Sequence, residues 1–338
     1  MQITALLRRS SAKAEVADEA AEKSSATDAP APAAATHSLL TRLHAWWEGY
    51  ELPPVASASE DDKPETPAKP AAAKPAAAAK VPAKELWSHD RIEVAQILWG
   101  KDFVSPLGAA TLAELAAPLV LEKGMTLVHL GCGLGGGTRA LVAAHAVKAT
   151  GMESSPALAN AGMNLSKAAK LKAEAPIGVV ELGSVQVKPT VFDRAVIEHM
   201  LHTIDDKEAA LARIVPALKP EARILVLDFV VQGKAPGPAI AAWAKVDAAP
   251  VKPWGLDAAR KAFAKLNIDL SEVADQSERY RTLIVHGLDE FLKAAGSQAF
   301  KRTLTVPLKR EVDIWAARMA AMDAGELKPV ALYGVKAR

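Results

Sequence analysis

The sequence lacks most of the features that would announce a function at once. Its single cysteine, Cys132, permits no internal disulfide and no thiolate metal cluster, so a reducing, cytoplasmic setting is expected. Charge of one sign is also lacking. The 41 basic and 39 acidic residues leave a net +2, which carries no polyelectrolyte signature of nucleic-acid binding. No apolar run approaches the length of a membrane span, and Met1 to Ser10 places Arg8 and Arg9 after its apolar residues, the reverse of a secretory signal. Apolar residues make up half of the 338, ample for a sizeable core, so a soluble enzyme is allowed.

Composition divides the chain unevenly. Residues 1–36 are rich in Ala, Glu, Lys, Asp and Ser and hold too few large apolar groups to offset ordering entropy, which predicts a disordered tail. Residues 37–50 set Leu39, Leu40, Leu43, Trp46, Trp47 and Tyr50 at helical spacing, a short amphipathic helix that can dock on a protein, a membrane surface or its own domain. Residues 51–84 are a Pro, Ala and Lys linker in which Pro64, Pro67, Pro70, Pro75 and Pro82 interrupt any helix. The folded domain is expected over 85–338.

Within that domain the informative stretch is glycine-rich. Met125 to Leu130 reads as a buried strand and a helical pattern starts near Thr138, with little but glycine between. Gly131, Gly133 and Gly135 remove side chains where the backbone bends, and the following helix aims free amides at whatever approaches. A nucleotide-like ligand fits such a bend. The letters alone leave the ligand open, because Gly131, Gly133 and Gly136 also satisfy the dinucleotide spacing. Glu153, about 20 residues on, stands where either class places an acid for the ribose hydroxyls.

Strands then alternate with helices: Ala149 to Glu153, Ile177 to Leu182, Val191 to Ile197 and Arg223 to Val230, with helices over Pro156 to Lys172 and Asp205 to Leu218. Alternation implies parallel pairing and a doubly wound α/β sheet. Residues 231–325 read as a helical excursion on the acceptor side, followed by a last strand, Lys328 to Lys336, that fits an antiparallel hairpin at the sheet edge.

Taken together, Leu130-Gly-Cys-Gly-Leu-Gly-Gly, Gly151-Met-Glu-Ser-Ser-Pro, Phe192-Asp and Leu218-Lys-Pro resemble the class I S-adenosylmethionine-dependent methyltransferases over residues 90 to 338. The resemblance implies a Rossmann-like, seven-stranded sheet with its last strand antiparallel, and S-adenosyl-L-methionine as cofactor. A finer similarity is to the phosphoethanolamine and small-amine N-methyltransferases, through Ile97-Leu-Trp-Gly-Lys-Asp-Phe-Val-Ser-Pro-Leu-Gly, which looks like that group's lid. It implies cofactor contacts at Phe103, Val104 and Ser105, beside Gly131, Cys132, Gly133, Gly135, Glu153, Ser154 and Ser184. It also matches the acid and histidine four apart, Glu198 and His202. Three positions depart from the family pattern: His129 replaces an acid, Gly183-Ser184 replaces another, and Glu221 stands where a glycine is usual.

Methyl transfer to an amine needs alignment, exclusion of water and removal of a proton. His202 is the expected base, with Glu198 orienting its ring or holding a cationic headgroup, and His199 is a second candidate. His199, His202, Asp205 and Asp206 fit no zinc spacing, so no metal is expected. Trp243, Trp254 and Tyr280 are candidates to cage a cationic amine, and Arg279 and Arg281 to hold a phosphate or carboxylate. The acceptor is therefore expected to be a small or lipid-headgroup amine. The alternative is an inactive scaffold that keeps the fold and docks through 37–50.

Overall fold

The computed structural model describes residues 86–338 apart from 182–184, 186, 234 and 298–300, and for 294–297 it describes the backbone alone. The expected tail, amphipathic helix and linker fall outside the described residues, as does Ser184. Among the described residues, 86–291 with 301–338 form one compact unit.

Eight strands make one sheet: β1 (Thr126–Leu130), β2 (Lys148–Glu153), β3 (Ile177–Val179), β4 (Phe192–Glu198), β5 (Leu218–Val231), β6 (Trp254–Gly255), β7 (Ile268–Asp275) and β8 (Leu327–Lys336). The main path runs β3-β2-β1-β4-β5-β8-β7, with the two-residue β6 pairing only the end of β5. Pairing is parallel from β3 through β5, and β8 is antiparallel to both β5 and β7. The seven-stranded, doubly wound reading with an antiparallel last strand is therefore the observed architecture.

Nine helices surround it among the described residues: α1 (His89–Trp99), α2 (Gly108–Leu115), α3 (Gly136–His145), α4 (Pro156–Ala168), α5 (Lys207–Ile214), α6 (Pro238–Val246), α7 (Leu256–Lys265), α8 (Ser277–Ser297) and α9 (Thr305–Asp323). No helix among the described residues is long and apolar enough to cross a membrane. Their starts are written locally. Ser88, Ser155 and Asp206 each accept a hydrogen bond from the backbone amide three residues on, and Pro156 adds a pre-set φ at the first helical position.

The core lies along the central strands. Every residue of β1 after Thr126 is buried, as is the run Ile224 to Val231 of β5, because parallel strands have helices on both faces. Each large apolar side chain enclosed there contributes about 1.5–3 kcal/mol.

Two differences from the sequence reading have physical causes. The excursion 231–325 is not wholly helical, since it contains β7. Apolar residues 268, 270 and 273 break strict alternation there because a bulge between Leu270 and Glu272 shifts the register. The last strand pairs antiparallel with β7, as an edge hairpin would, but is not the edge strand itself. α8 and α9 separate it from β7, and it lies between β5 and β7, where its burial matches an interior strand.

Candidate active site

The glycine bend has the conformation its composition calls for. Gly131, Gly133 and Gly135 have φ of 72°, 56° and 75°, a region side chains rarely adopt. Space forbids a side chain as well. A Cβ on Gly131 would lie 2.1 Å from the carbonyl oxygen of Glu198, and one on Gly133 would lie 2.8 Å from Val104. Backbone amides at the start of α3 are thereby left bare beside a cradle that a Cβ would fill.

Glu153 ends β2 at the lip of this bend. Its carboxylate accepts hydrogen bonds from the Gly133 amide (3.0 Å), the Ser155 amide (2.9 Å) and the Ser154 hydroxyl (3.3 Å). Burial raises its pKa above the ordinary carboxylate range, the hydrogen bonds opposing that shift only in part. Cys132 is buried beside it, with its thiol pKa pushed well up by desolvation, so it fills space and is no thiolate.

A cavity of about 350 Å³ opens from this bend. Its walls include Phe103, Val104 and Ser105 of the lid segment, Gly131 to Leu134, Glu153 and Ser154, and Glu198, His199 and His202. The structure thus gathers every described residue that the sequence nominated for cofactor or catalysis, except Gly135, which shapes the bend from behind.

The catalytic candidates pair differently from expectation. Glu198 does not orient His202. Its Oε2 meets His129 Nε2 at 3.0 Å and its Oε1 accepts from the Ser105 hydroxyl at 3.2 Å. The carboxylate that orients His202 is Asp228 on β5, whose Oδ1 bonds the ring Nδ1 and whose Oδ2 accepts the His202 amide at 3.1 Å. The cause is that Leu201–Thr203 is a single 3-10 turn, too short to set positions 198 and 202 on one helical face. Asp228 stays ionised despite the opposing desolvation, because the His202 ring and the Phe229 amide lower its pKa.

His199 is the strained member, with φ of 48° at the strand end. Desolvation depresses its pKa to about 4, so the ring is neutral. The Tyr280 hydroxyl, its own pKa raised well up by burial, is hydrogen-bonded to His199 Nε2, while Nδ1 lies 3.8 Å from Glu198, beyond hydrogen-bond reach. Only Nε2 of the His199 ring is therefore engaged in a hydrogen bond.

At the other end of the cavity the rings are already taken. The Arg318 guanidinium lies 5.4, 5.0 and 4.4 Å from the ring centres of Phe229, Trp243 and Trp315, and it pairs with Asp247 at 3.1 Å. Trp243 is wholly buried core, Trp254 sits on β6 under Lys207, and Tyr280 serves His199, so none of the three is a vacant cage for a cation. Arg279 and Arg281 are paired with Glu114 and Asp323. Sequence reading missed Asp228, Asp247 and Arg318. Only the buried acid within an apolar strand, Leu227-Asp-Phe, was a signal open to it.

Among the described residues the one cluster of potential metal ligands within reach of one another is His89, Asp90 and Glu93, outside this cavity, and Asp205 instead pairs with Lys252.

Residues 128–224 match the methyltransferase domain family model. Phosphoethanolamine N-methyltransferase 3 of Arabidopsis thaliana is 28% identical over 148 residues, 44% of this chain and 30% of the relative. Phosphoethanolamine N-methyltransferase 1 of Triticum aestivum is 23% identical over 235 residues, 68% of this chain and 45% of the relative. The chain therefore spans less than half the length of these curated relatives. Among solved structures, phosphoethanolamine N-methyltransferase 2 of Haemonchus contortus, in complex with phosphomonomethylethanolamine and S-adenosylhomocysteine, superposes with a TM-score of 0.67 at 18% identity, covering 76% of this chain and 61% of that one. A putative sarcosine dimethylglycine methyltransferase from Galdieria sulphuraria gives 0.63 at 15% identity, covering 73% and 98%. Those structural likenesses concern the fold. The family match covers residues 128–224, and that stretch is therefore similar to a methyltransferase domain, with a fold like that of the solved methyltransferases.

Proposed function

We propose that the protein transfers a methyl group from S-adenosylmethionine to the nitrogen of a small amine, of the phosphoethanolamine or amino-acid kind. The observation that carries this reading is the single cavity in which the glycine bend and Glu153 face the His202–Asp228 pair. The bare glycine backbone would hold the donor's amino-acid portion and Glu153 its ribose hydroxyls.

Bound S-adenosylmethionine supplies an electrophilic methyl on a sulfonium. The chain's own part is alignment and proton removal. Asp228 fixes His202 through both the ring Nδ1 and the main-chain amide. Nε2 is then the ring nitrogen with no hydrogen-bond partner among the described residues, on a side chain that lines the cavity, and it takes a proton from the substrate ammonium, freeing the amine lone pair that attacks the methyl carbon. His199, whose Nε2 is taken by Tyr280 and whose pKa is depressed to about 4 by burial, is a wall and not the base. Phe103 and Val104 close over the glycine bend and keep water out. A cytoplasmic setting remains part of this proposal, and no observation favours the inactive scaffold.

Titration calorimetry with S-adenosylmethionine and S-adenosylhomocysteine tests the reading first. Mass spectrometry of phosphoethanolamine, ethanolamine and sarcosine after incubation with the donor tests the acceptor. Absence of binding to either donor form sinks the reading.

A further inference from the structure

Glu198 is left without the role the sequence gave it, and its surroundings suggest another. Its main chain lies against Gly131, closely enough that a Cβ there would strike its carbonyl oxygen. Its carboxylate is held by His129 from β1 and by Ser105 from the lid, and His129 is fixed in turn by Thr138 in the first turn of α3 (Nδ1 to Oγ1, 3.0 Å). Three segments therefore converge to hold one anion at the glycine bend.

The other acids of the cavity wall are accounted for. Asp102 pairs with Arg139 and Asp247 with Arg318, while backbone amides and Ser154 hold Glu153. Glu198 has only a hydroxyl and imidazoles around it, with no lysine or arginine among its recorded partners. Its ion-pair partner His129 is cationic only when protonated, and beside a neutral ring the buried carboxylate costs several kcal/mol unless a ligand brings the positive charge.

Two ligand cations compete for it under the methyltransferase reading, on which this inference rests. A carboxylate beside the acceptor nitrogen would stabilise the ammonium form and oppose its attack. Beside the donor's α-ammonium it carries no such penalty, since that group does not react. Its position against Gly131 agrees, because the bend is where the donor's amino-acid portion would lie. We infer that Glu198, steadied by His129 as a positioning residue, is the counter-charge for the donor's α-ammonium and not the anchor of the acceptor amine.

The test compares two probes by calorimetry: S-adenosylhomocysteine and its analogue lacking the α-amino group. Wild-type protein should prefer the former by about tenfold or more, as a charge-assisted hydrogen bond provides. Glu198→Gln should abolish that preference by weakening S-adenosylhomocysteine while leaving the deaminated analogue within about twofold of wild type, which also shows that the variant is folded. His129→Asn should reduce the preference in part. Equal affinities in the wild type overturn the inference without recourse to any variant. So does a Glu198→Gln protein that keeps the preference while the KM for acceptor rises. Wild-type protein that binds neither probe overturns the methyltransferase reading along with it.

Discussion

The two sides of the cavity were built by different means. On the donor side the glycine bend and Glu153 lie within residues 131–153 and depend on backbone conformation: three left-handed glycines, a helix start and a strand-end acid. On the acceptor side they depend on side chains brought together from afar. His202 meets Asp228 across 26 positions, Asp247 meets Arg318 across 71, and His199 meets Tyr280 across 81. A backbone that must take positive φ restricts residue type at fixed spacing, whereas a long-range pair leaves no trace in linear order.

The sharpest way to separate the sides is His202→Gln. Turnover should fall by about 100-fold or more, as loss of a general base implies, while calorimetric affinity for S-adenosylhomocysteine stays unchanged. Asp228→Asn should shift the pH profile of kcat in addition to lowering it. Donor affinity falling in step with turnover would show that the sides are not independent.

A second comparison uses acid. Burial holds His199 neutral down to about pH 4, against 6.5 for an ordinary histidine. The unfolded chain therefore takes a proton below about 6.5 that the folded chain refuses, so this contribution is present above pH 6.5 and is lost as pH falls towards 4. The shift of 6.5 − 4 corresponds to roughly 3 kcal/mol. Urea melts between pH 7 and 4.5 should show the loss, and His199→Gln should flatten it.

On the donor side, Glu153→Ala should weaken S-adenosylhomocysteine by about tenfold or more, and in the methyltransferase assay it should leave the acceptor KM in place. Unchanged donor affinity would move the ribose site elsewhere. The smallest effect is expected outside both sides. Glu221 carries φ of 62° in the irregular first part of β5, and its pair with Arg338 is exposed. Glu221→Gly should raise stability by up to about 1 kcal/mol in a thermal melt without touching either ligand.

The same division governs how much was legible beforehand. Strand and helix order through β5 could be read because hydrophobic period and glycine punctuation agree locally, and the described residues nominated for cofactor or catalysis do line or shape one cavity, whereas the acceptor-side rings and arginines do not. β7 was hidden by a bulge, and α6 was overlooked although Pro238 marks its start. The pairing of Glu198 was misjudged because i to i+4 spacing was taken for a helix where the chain makes one 3-10 turn. Nothing local could show that Arg318 would occupy Trp243, one of the rings nominated for a substrate cation.

The placement of β8 bears on how the molecule assembles. It pairs with β5 along nine positions, from Arg223 opposite Val335 to Val231 opposite Leu327, yet residues 232 to 326 separate the two strands. Closing so long a loop is an entropic hurdle met before any ladder bond rewards it, which makes this junction the slow, late event of refolding. Until it forms, β5 presents a long apolar margin to any passing chain, so self-association during refolding should begin there.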